Sequence, residues 1–164
     1  MIRVVGVAIE KGVVFLAAAE PAAGEGHAAS PVPGGVRRVE PNAGLDDAHR
    51  IVDLTHRIED HLRALGASRV SLAKTRKFSG LSYAEALARV SNMCAVMAAS
   101  VACELEFVEV TTEVIAKRVG GVAKSLEDVP ASAFGFTTVP KYWRAGVAKA
   151  FGAGAVLLPP WEPT

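Results

Sequence analysis

Two short β-branched runs, Ile2 to Ile9 and Val13 to Ala19, open the chain on either side of Glu10-Lys11-Gly12. Strand-length apolar runs around a short break containing Gly predict a β-hairpin. From Glu20 to Pro33 the residues turn to Ala, Gly, Pro, Ser and His without apolar period, which predicts an exposed loop, flexible over about 20–35. Val36-Arg37-Arg38-Val39 alternates apolar and basic residues and predicts a short, edge-like third strand. Ala48, Ile51, Val52, Thr55, Ile58, Leu62 and Leu65 then recur at three- and four-residue steps. That period predicts an amphipathic helix capped by Asn42 or Asp46 and ended at Gly66. Arg69 to Ala73 reads as the next strand, and Ser82-x-x-Glu85 as a capping box opening a long helix. One face of that helix carries Tyr83, Ala86, Leu87, Val90, Met93, Cys94, Met97 and Val101, the other mostly Ala and Ser, which predicts burial on most sides. Leu105 to Val110 is a fifth strand, followed by a helix from Thr111 or Thr112 to Val119 that Gly120-Gly121 stops. After a loop with Pro130 and Pro140, Tyr142 to Phe151 predicts a last helix.

The order β-β-β-α-β-α-β-α predicts an α/β fold, a mixed five-stranded sheet with helices packed on it. At 164 residues the expectation is one domain over 1–164 with an apolar tail at about 155–164. The chain is 51% hydrophobic and 21% charged, enough apolar surface to fill a core, which excludes a disordered chain. Its net charge of +1 excludes a polybasic or acidic tail as a global description, so any basic site is local. Glu10, Lys11, Arg89 or Glu104 interrupts every apolar stretch before the roughly 20 residues of a membrane span, and the opening residues lack a signal-peptide pattern. Cys94 and Cys103 sit in one apolar helical run without a C-x-x-C or zinc spacing, which predicts reduced core cysteines in a cytoplasmic protein.

Most candidate chemistry fails on spacing. Gly120-Gly121-Val122-Ala123-Lys124-Ser125 resembles a phosphate loop, but Ala123 stands where Gly must precede the Lys. His49, Asp53, His56 and Asp60 share a helix face at metal-ligand steps, yet that face lies opposite the apolar one, where solvated residues are expected. No Ser sits in a G-x-S-x-G elbow. The sharpest feature is Lys74-Thr75-Arg76-Lys77-Phe78, three cations and an aromatic at a strand end, where ligands tend to bind in α/β sheets. With Lys117, Arg118 and Lys124 one short helix beyond the next strand, these residues can neutralise phosphates while Phe78 stacks on a base.

Three segments carry a family likeness: Val4-Val5-Gly6-Val7-Ala8-Ile9; Val70-Ser71-Leu72-Ala73-Lys74 with Phe78 after it; and Val108-Glu109-Val110-Thr111-Thr112 through Lys117-Arg118-Val119-Gly120-Gly121 to Ala123-Lys124. Together with the element order, from Ile2 to about Phe151, the chain resembles the ribonuclease H-like fold in its RuvC-type Holliday-junction resolvase branch. In that family a Gly-x-Asp on the first strand, a Glu ending the strand before the long helix and carboxylates on the last helix converge on two magnesium ions. Here the first position reads Gly6-Val7-Ala8, the second Lys74, and no Asp or Glu occurs between Asp128 and Glu162. The resemblance therefore implies no catalytic residue, metal ligand or cofactor, with Glu10 and Glu113 the only stand-ins. The expected role is binding of nucleic acid, DNA or RNA, by a catalytically inactive domain through Lys74, Arg76, Lys77, Phe78, Lys117, Arg118 and Lys124. The alternative is a scaffold or homo-oligomer subunit holding a protein partner through the helix Tyr83–Val101 and the tail Ala155–Trp161. An enzyme using Glu10, Glu113 or the His49/Asp53/His56 stripe ranks last.

Overall fold

The computed structural model describes residues 2–23, 29–74 and 80–159. β1 (Val4–Glu10) and β2 (Val13–Glu20) form the expected hairpin. Its turn is Lys11-Gly12, both left-handed at φ 49° and 77°, the geometry that matches the twist of a two-residue hairpin and favours Gly at the second position. β3 (Ser30–Val39) pairs antiparallel with β2, and β4 (Arg69–Lys74) and β5 (Glu106–Thr111) extend the sheet in parallel from β1, giving the order β3-β2-β1-β4-β5.

The expected loop over 20–35 is too long and the third strand too short. Glu20 still pairs with Ser30 and Ala19 with Pro31, and a register shift between Ala17 and Ala19 absorbs the irregularity. Pro31 and Pro33 are tolerated because β3 is an edge, where a missing N–H can face away from the ladder. Residues 24–28 of that loop lie outside the described residues.

Strand alternation divides the core in two. Val5, Val7, Ile9, Leu16, Val70 and Leu72 face α1 (Asp47–Ala64) and α2 (Tyr83–Ala102). Ala8, Phe15, Ala17, Ala73 and Val110 face α3 (Thr112–Val119) and α4 (Ala148–Ala155). Asp46 caps α1 by accepting from the His49 N–H, and Ser82 and Thr111 cap α2 and α3 in the same way. In α1 the buried positions are Leu54, Ile58 and Leu62, while Ile51 and Val52 are exposed, so the core stripe is rotated from the expected one.

α2 departs most from expectation. Its buried side is the small and polar one, Asn92, Ala95, Val96, Ala99 and Ser100, because Ala and Ser let the helix approach its neighbours closely. Tyr83, Leu87, Val90 and Val101 are exposed, and Cys94, expected in the core, is exposed with them. Cys103 is half-buried; burial pushes its thiol pKa up, and its Sγ lies 3.8 Å from the Glu59 carbonyl oxygen.

The expected last helix is two pieces. Trp143–Val147 form a wide π-type turn in which Gly146 is extended (φ 171°), and only then does α4 begin. A Cβ at Gly146 would lie 2.3 Å from the Phe15 ring, so the chain turns against β2 where only Gly fits. α4 then runs antiparallel to β1, with the N-terminal Lys149 beside Glu10 and Gly154 beside Val4. At Gly6 a Cβ would sit 1.7 Å from the Ala150 carbonyl oxygen, so backbone packs on backbone there. The tail is not an exposed apolar end: Val156, Leu157 and Leu158 are buried beneath the sheet by α4, and 160–164, including Trp161, lie outside the described residues. Among the described residues no helix is long and apolar enough to cross a membrane.

Candidate functional site

A cleft of about 630 Å³ opens on the α4 face of the sheet, at the end where β1 stops and β2 begins. The sheet supplies its floor. Glu10 follows Ala8 on the α4-facing side of β1, and Phe15 pairs with Arg38 across the β2–β3 ladder. The segment after α3 supplies the opposite wall with Lys124, Glu127, Tyr142, Trp143, Arg144 and Lys149.

Five cations (Lys11, Arg38, Lys124, Arg144, Lys149) and three carboxylates (Glu10, Glu40, Glu127) line this cleft, a local positive surplus on a nearly neutral chain. Lys149 is the sole charged residue of α4 and is ion-paired with Glu10. Arg38 pairs with Glu40, and Arg144 with Asp128 at 2.7 Å. Lys11 and Lys124 have no ion-pair partner among the described residues, so their charges are the ones most available to a ligand.

Tyr142 provides an aromatic wall. The Arg38 guanidinium lies 4.8 Å and the Lys141 ammonium 5.0 Å from its ring centroid, positions that favour a cation on the ring face. Its backbone is left-handed (φ 64°), an uncommon conformation for a residue with a Cβ. Behind it Trp143 is buried, donates from Nε1 to the Val129 carbonyl at 2.9 Å, and packs its ring near Phe134 and Phe136. The aromatic neighbour of the Tyr142 ring itself is Phe15, with centroids 6.2 Å apart.

The residues expected to bind nucleic acid do not form one cluster. Lys124 lines the cleft. Lys74 ends β4, but it has the parity of Val70 and Leu72, so its side chain projects to the α1/α2 face, where it pairs with Glu109 at 3.8 Å. The residue of β4 that faces α4 is Ala73. Lys74 consequently does not stand among groups converging on β1 and α4, as its place at the strand end alone had implied. Arg76, Lys77 and Phe78 lie outside the described residues. Lys117 and Arg118 close α3, and Arg118 donates to the Leu158 carbonyl at 3.4 Å, beyond the C-terminus of α4 and away from the Lys149 end. Of the carboxylate stand-ins, Glu10 is held by Lys149, and Glu113 opens α3 past the end of β5.

The helix-face stripe stays apart from this cleft. His49 Nδ1 lies 2.7 Å from the Asp46 carboxylate, whose pKa is held low by the His49 backbone N–H and then by the ring, and Asp53 pairs with Arg57 at 3.2 Å. Among the described residues no three His, Cys, Asp or Glu side chains come together as metal ligands.

Sequence reasoning missed Lys149, Arg38, Arg144 and Tyr142. Lys149 carried a signal, the one charge in an apolar helix. The others are joined only by tertiary packing.

No protein-family model matches this chain, and no curated protein matches it. Solved structures do. The chain is similar to Thermus thermophilus RuvC with a TM-score of 0.75 at 12% identity, covering 94% of this chain and 92% of that one. It is likewise similar to T. thermophilus RuvC in complex with Holliday junction substrate, with a TM-score of 0.74 at 12% identity over 94% and 91% of the two chains. The fold is thus ribonuclease H-like, the RuvC form of the mixed five-stranded sheet.

Proposed function

We propose that this chain is a ribonuclease H-like domain that binds nucleic acid in the cleft beside α4 and does not cleave it. One observation carries the reading: where β1 ends against the start of α4, the side chains on the α4 side are Ala8 and Glu10, and the Lys149 ammonium pairs with that carboxylate. Two-metal phosphodiester hydrolysis requires several anionic oxygens converging on divalent cations, and an ammonium in their place opposes a metal ion. The residues present do not fit that metal centre. They do fit a phosphate, which needs cations and no metal.

The ligand class follows from the fold and the lining. T. thermophilus RuvC has been solved with a Holliday junction substrate, so a polynucleotide is the ligand to test first. Lys124, Lys11 and Lys149 supply the charge for its backbone, and Tyr142, 41% exposed, presents a ring on which a base can stack. Lys74 ends β4 at the same end of the sheet, and Arg76, Lys77 and Phe78, next in the sequence, are proposed as further contacts. Lys117 and Arg118 lie at the far end of α4 and contribute least.

The test combines binding and turnover. Labelled four-way junction, duplex and single-stranded DNA, with an RNA strand as a further arm, should shift with the protein at low salt and remain uncut with magnesium or manganese. The double substitution Lys124→Glu with Lys149→Glu should abolish the shift. Cleavage that disappears in Glu10→Gln would overturn the inactive reading. Failure of every nucleic acid to bind at low salt would overturn the binding reading.

A further inference from the structure

Of the three carboxylates in the cleft, two are engaged: Glu10 pairs with Lys149, and Glu40 with Arg38. Glu127 is half-buried in the same cleft, yet its carboxylate has no hydrogen-bond or ion-pair partner among the described residues. Its backbone, by contrast, is fastened. Glu127 lies in the short 3-10 turn Leu126–Asp128, which the buried Leu126 side chain anchors in the core. Arg144 donates to the Glu127 carbonyl at 3.4 Å and pairs with Asp128 at 2.7 Å, while Trp143 Nε1 donates to the Val129 carbonyl at 2.9 Å. Three successive residues, 127 to 129, are thus tied to the two that follow Tyr142. The uncommitted carboxylate and the Tyr142 ring line the cleft from one fastened unit.

An uncommitted carboxylate is costly in a site for phosphates. It accepts hydrogen bonds and donates none, it repels phosphate oxygens, and it loses water when a strand fills the cleft. Unless the strand returns donors, that loss weakens binding. Within a DNA strand the donors lie on the base edges. Guanine sets two of them, N1–H and N2–H, side by side, and so matches both oxygens of a carboxylate as a fork. Adenine and cytosine place a ring-nitrogen acceptor beside their amino group, and thymine places its N–H between two carbonyls. Each of those three bases turns a lone pair toward the second carboxylate oxygen, a repulsion that discriminates against it.

We propose that the cleft reads an unpaired guanine: the base stacks on Tyr142, its N1–H and N2–H donate to the Glu127 carboxylate, and Lys124 on the same wall neutralises a phosphate beside it. At about 630 Å³ the cleft is of the size that encloses a small ligand, and one nucleotide fits it. Guanine recognition rests on the cleft taking nucleic acid at all, and adds to that reading a base and a strandedness. In a duplex the same guanine edge is paired with cytosine. Glu127 is then reached from a single strand or an opened junction, whereas the cations of the cleft still hold a duplex by its backbone.

Fluorescence anisotropy with the full chain at low salt tests this on labelled thymidine strands that carry one central guanine, hypoxanthine or adenine. Hypoxanthine keeps N1–H and lacks the N2 amino group, and DNA has no 2′-hydroxyl to supply a donor instead. The guanine strand should bind about tenfold or more tightly than the adenine strand, with the hypoxanthine strand between them. Annealing the complement should erase the difference. Glu127→Gln should bring the guanine and adenine strands close together and tighten the plain thymidine strand, because a negative charge has left a phosphate site. A merely structural Glu127 would instead weaken every strand alike. Tyr142→Ala should weaken all the single strands. Equal binding of the guanine, hypoxanthine and adenine strands, or a guanine preference that Glu127→Gln leaves intact, would overturn guanine recognition and leave the cleft as a backbone-binding site. Failure of every strand to bind, duplex included, would overturn both.

Discussion

Gly6→Ala places one methyl group where β1 and α4 pack backbone on backbone. The added Cβ would sit 1.7 Å from the Ala150 carbonyl oxygen and 2.6 Å from the Gly154 nitrogen, against an ordinary contact of 3.4 Å or more. Neither obstacle is the tip of a flexible side chain, so α4 must retreat from the sheet by more than an ångström. A radial gap of about 0.5–1 Å already forfeits a quarter to a half of the dispersion attraction of the atoms lining it. The atoms in question belong to Val147, Ala150, Phe151, Ala153 and Val156, all fully buried. Overpacking typically costs about 1–3 kcal/mol, and here a whole helix moves, so the expected loss is about 3 kcal/mol or more. For a chain of 164 residues that corresponds to a fall in Tm of roughly 6–12 °C. Gly12→Ala is the control: its φ is +77° with nothing within 4 Å of the new Cβ, so only the left-handed strain of about 1–2 kcal/mol applies. Thermal and denaturant unfolding of both variants, followed by circular dichroism, measures the difference. A Gly6→Ala protein no less stable than Gly12→Ala would refute the close approach that brings Lys149 to Glu10.

Three further outcomes follow from single groups. Burial holds the His61 pKa below its ordinary 6.5, with Arg37 and Arg57 acting in the same sense. The unfolded chain thus takes up this proton first as the pH falls, and stability declines below about 6.5 and is unaffected above it; His61→Gln should flatten that part of the acid limb in denaturant titrations. Ser82→Ala removes the side chain that accepts from the Glu85 N–H at 3.2 Å, and should cost about 1 kcal/mol in the same measurement, the usual worth of an N-cap. Lys149→Met leaves Glu10 without its cation in the cleft; DNA binding should weaken while the melting temperature changes little, because a partly exposed pair contributes roughly 0–1 kcal/mol.

Legibility in the sequence tracked the range of the interactions. The hairpin, the capped starts of α1 and α2 and the alternation of strand with helix are written in local periods and turn residues, and the sheet follows from their order. The faces are not local. In α2 both sides were apolar enough to be buried, and only the fit of Ala95 and Ala99 against the neighbouring layer decides that the larger residues stay outside. The face of Lys74 is hidden for a related reason: one residue of strand parity separates the α4 face from the α2 face, and position along the strand does not give the side. Lys124 was legible as a basic residue after Gly120-Gly121, but its neighbours Arg38, Tyr142 and Lys149 come from β3, a π-type turn and α4, and no spacing in the chain announces them.

The most direct test of the cleft is the salt dependence of binding. Fluorescence anisotropy of a labelled DNA, titrated with the full chain at graded salt, yields a log–log slope of about −0.9 per phosphate neutralised on duplex. If Lys11 and Lys124 alone engage the backbone the slope is about −1.8, and if all five lining cations do it approaches about −4.5. Lys124→Gln should reduce the wild-type slope by about one phosphate, while Lys117→Gln, at the far end of α4, should leave it unchanged. A slope that Lys124→Gln does not move, or that Lys117→Gln lowers as much, would contradict the cleft as the binding surface.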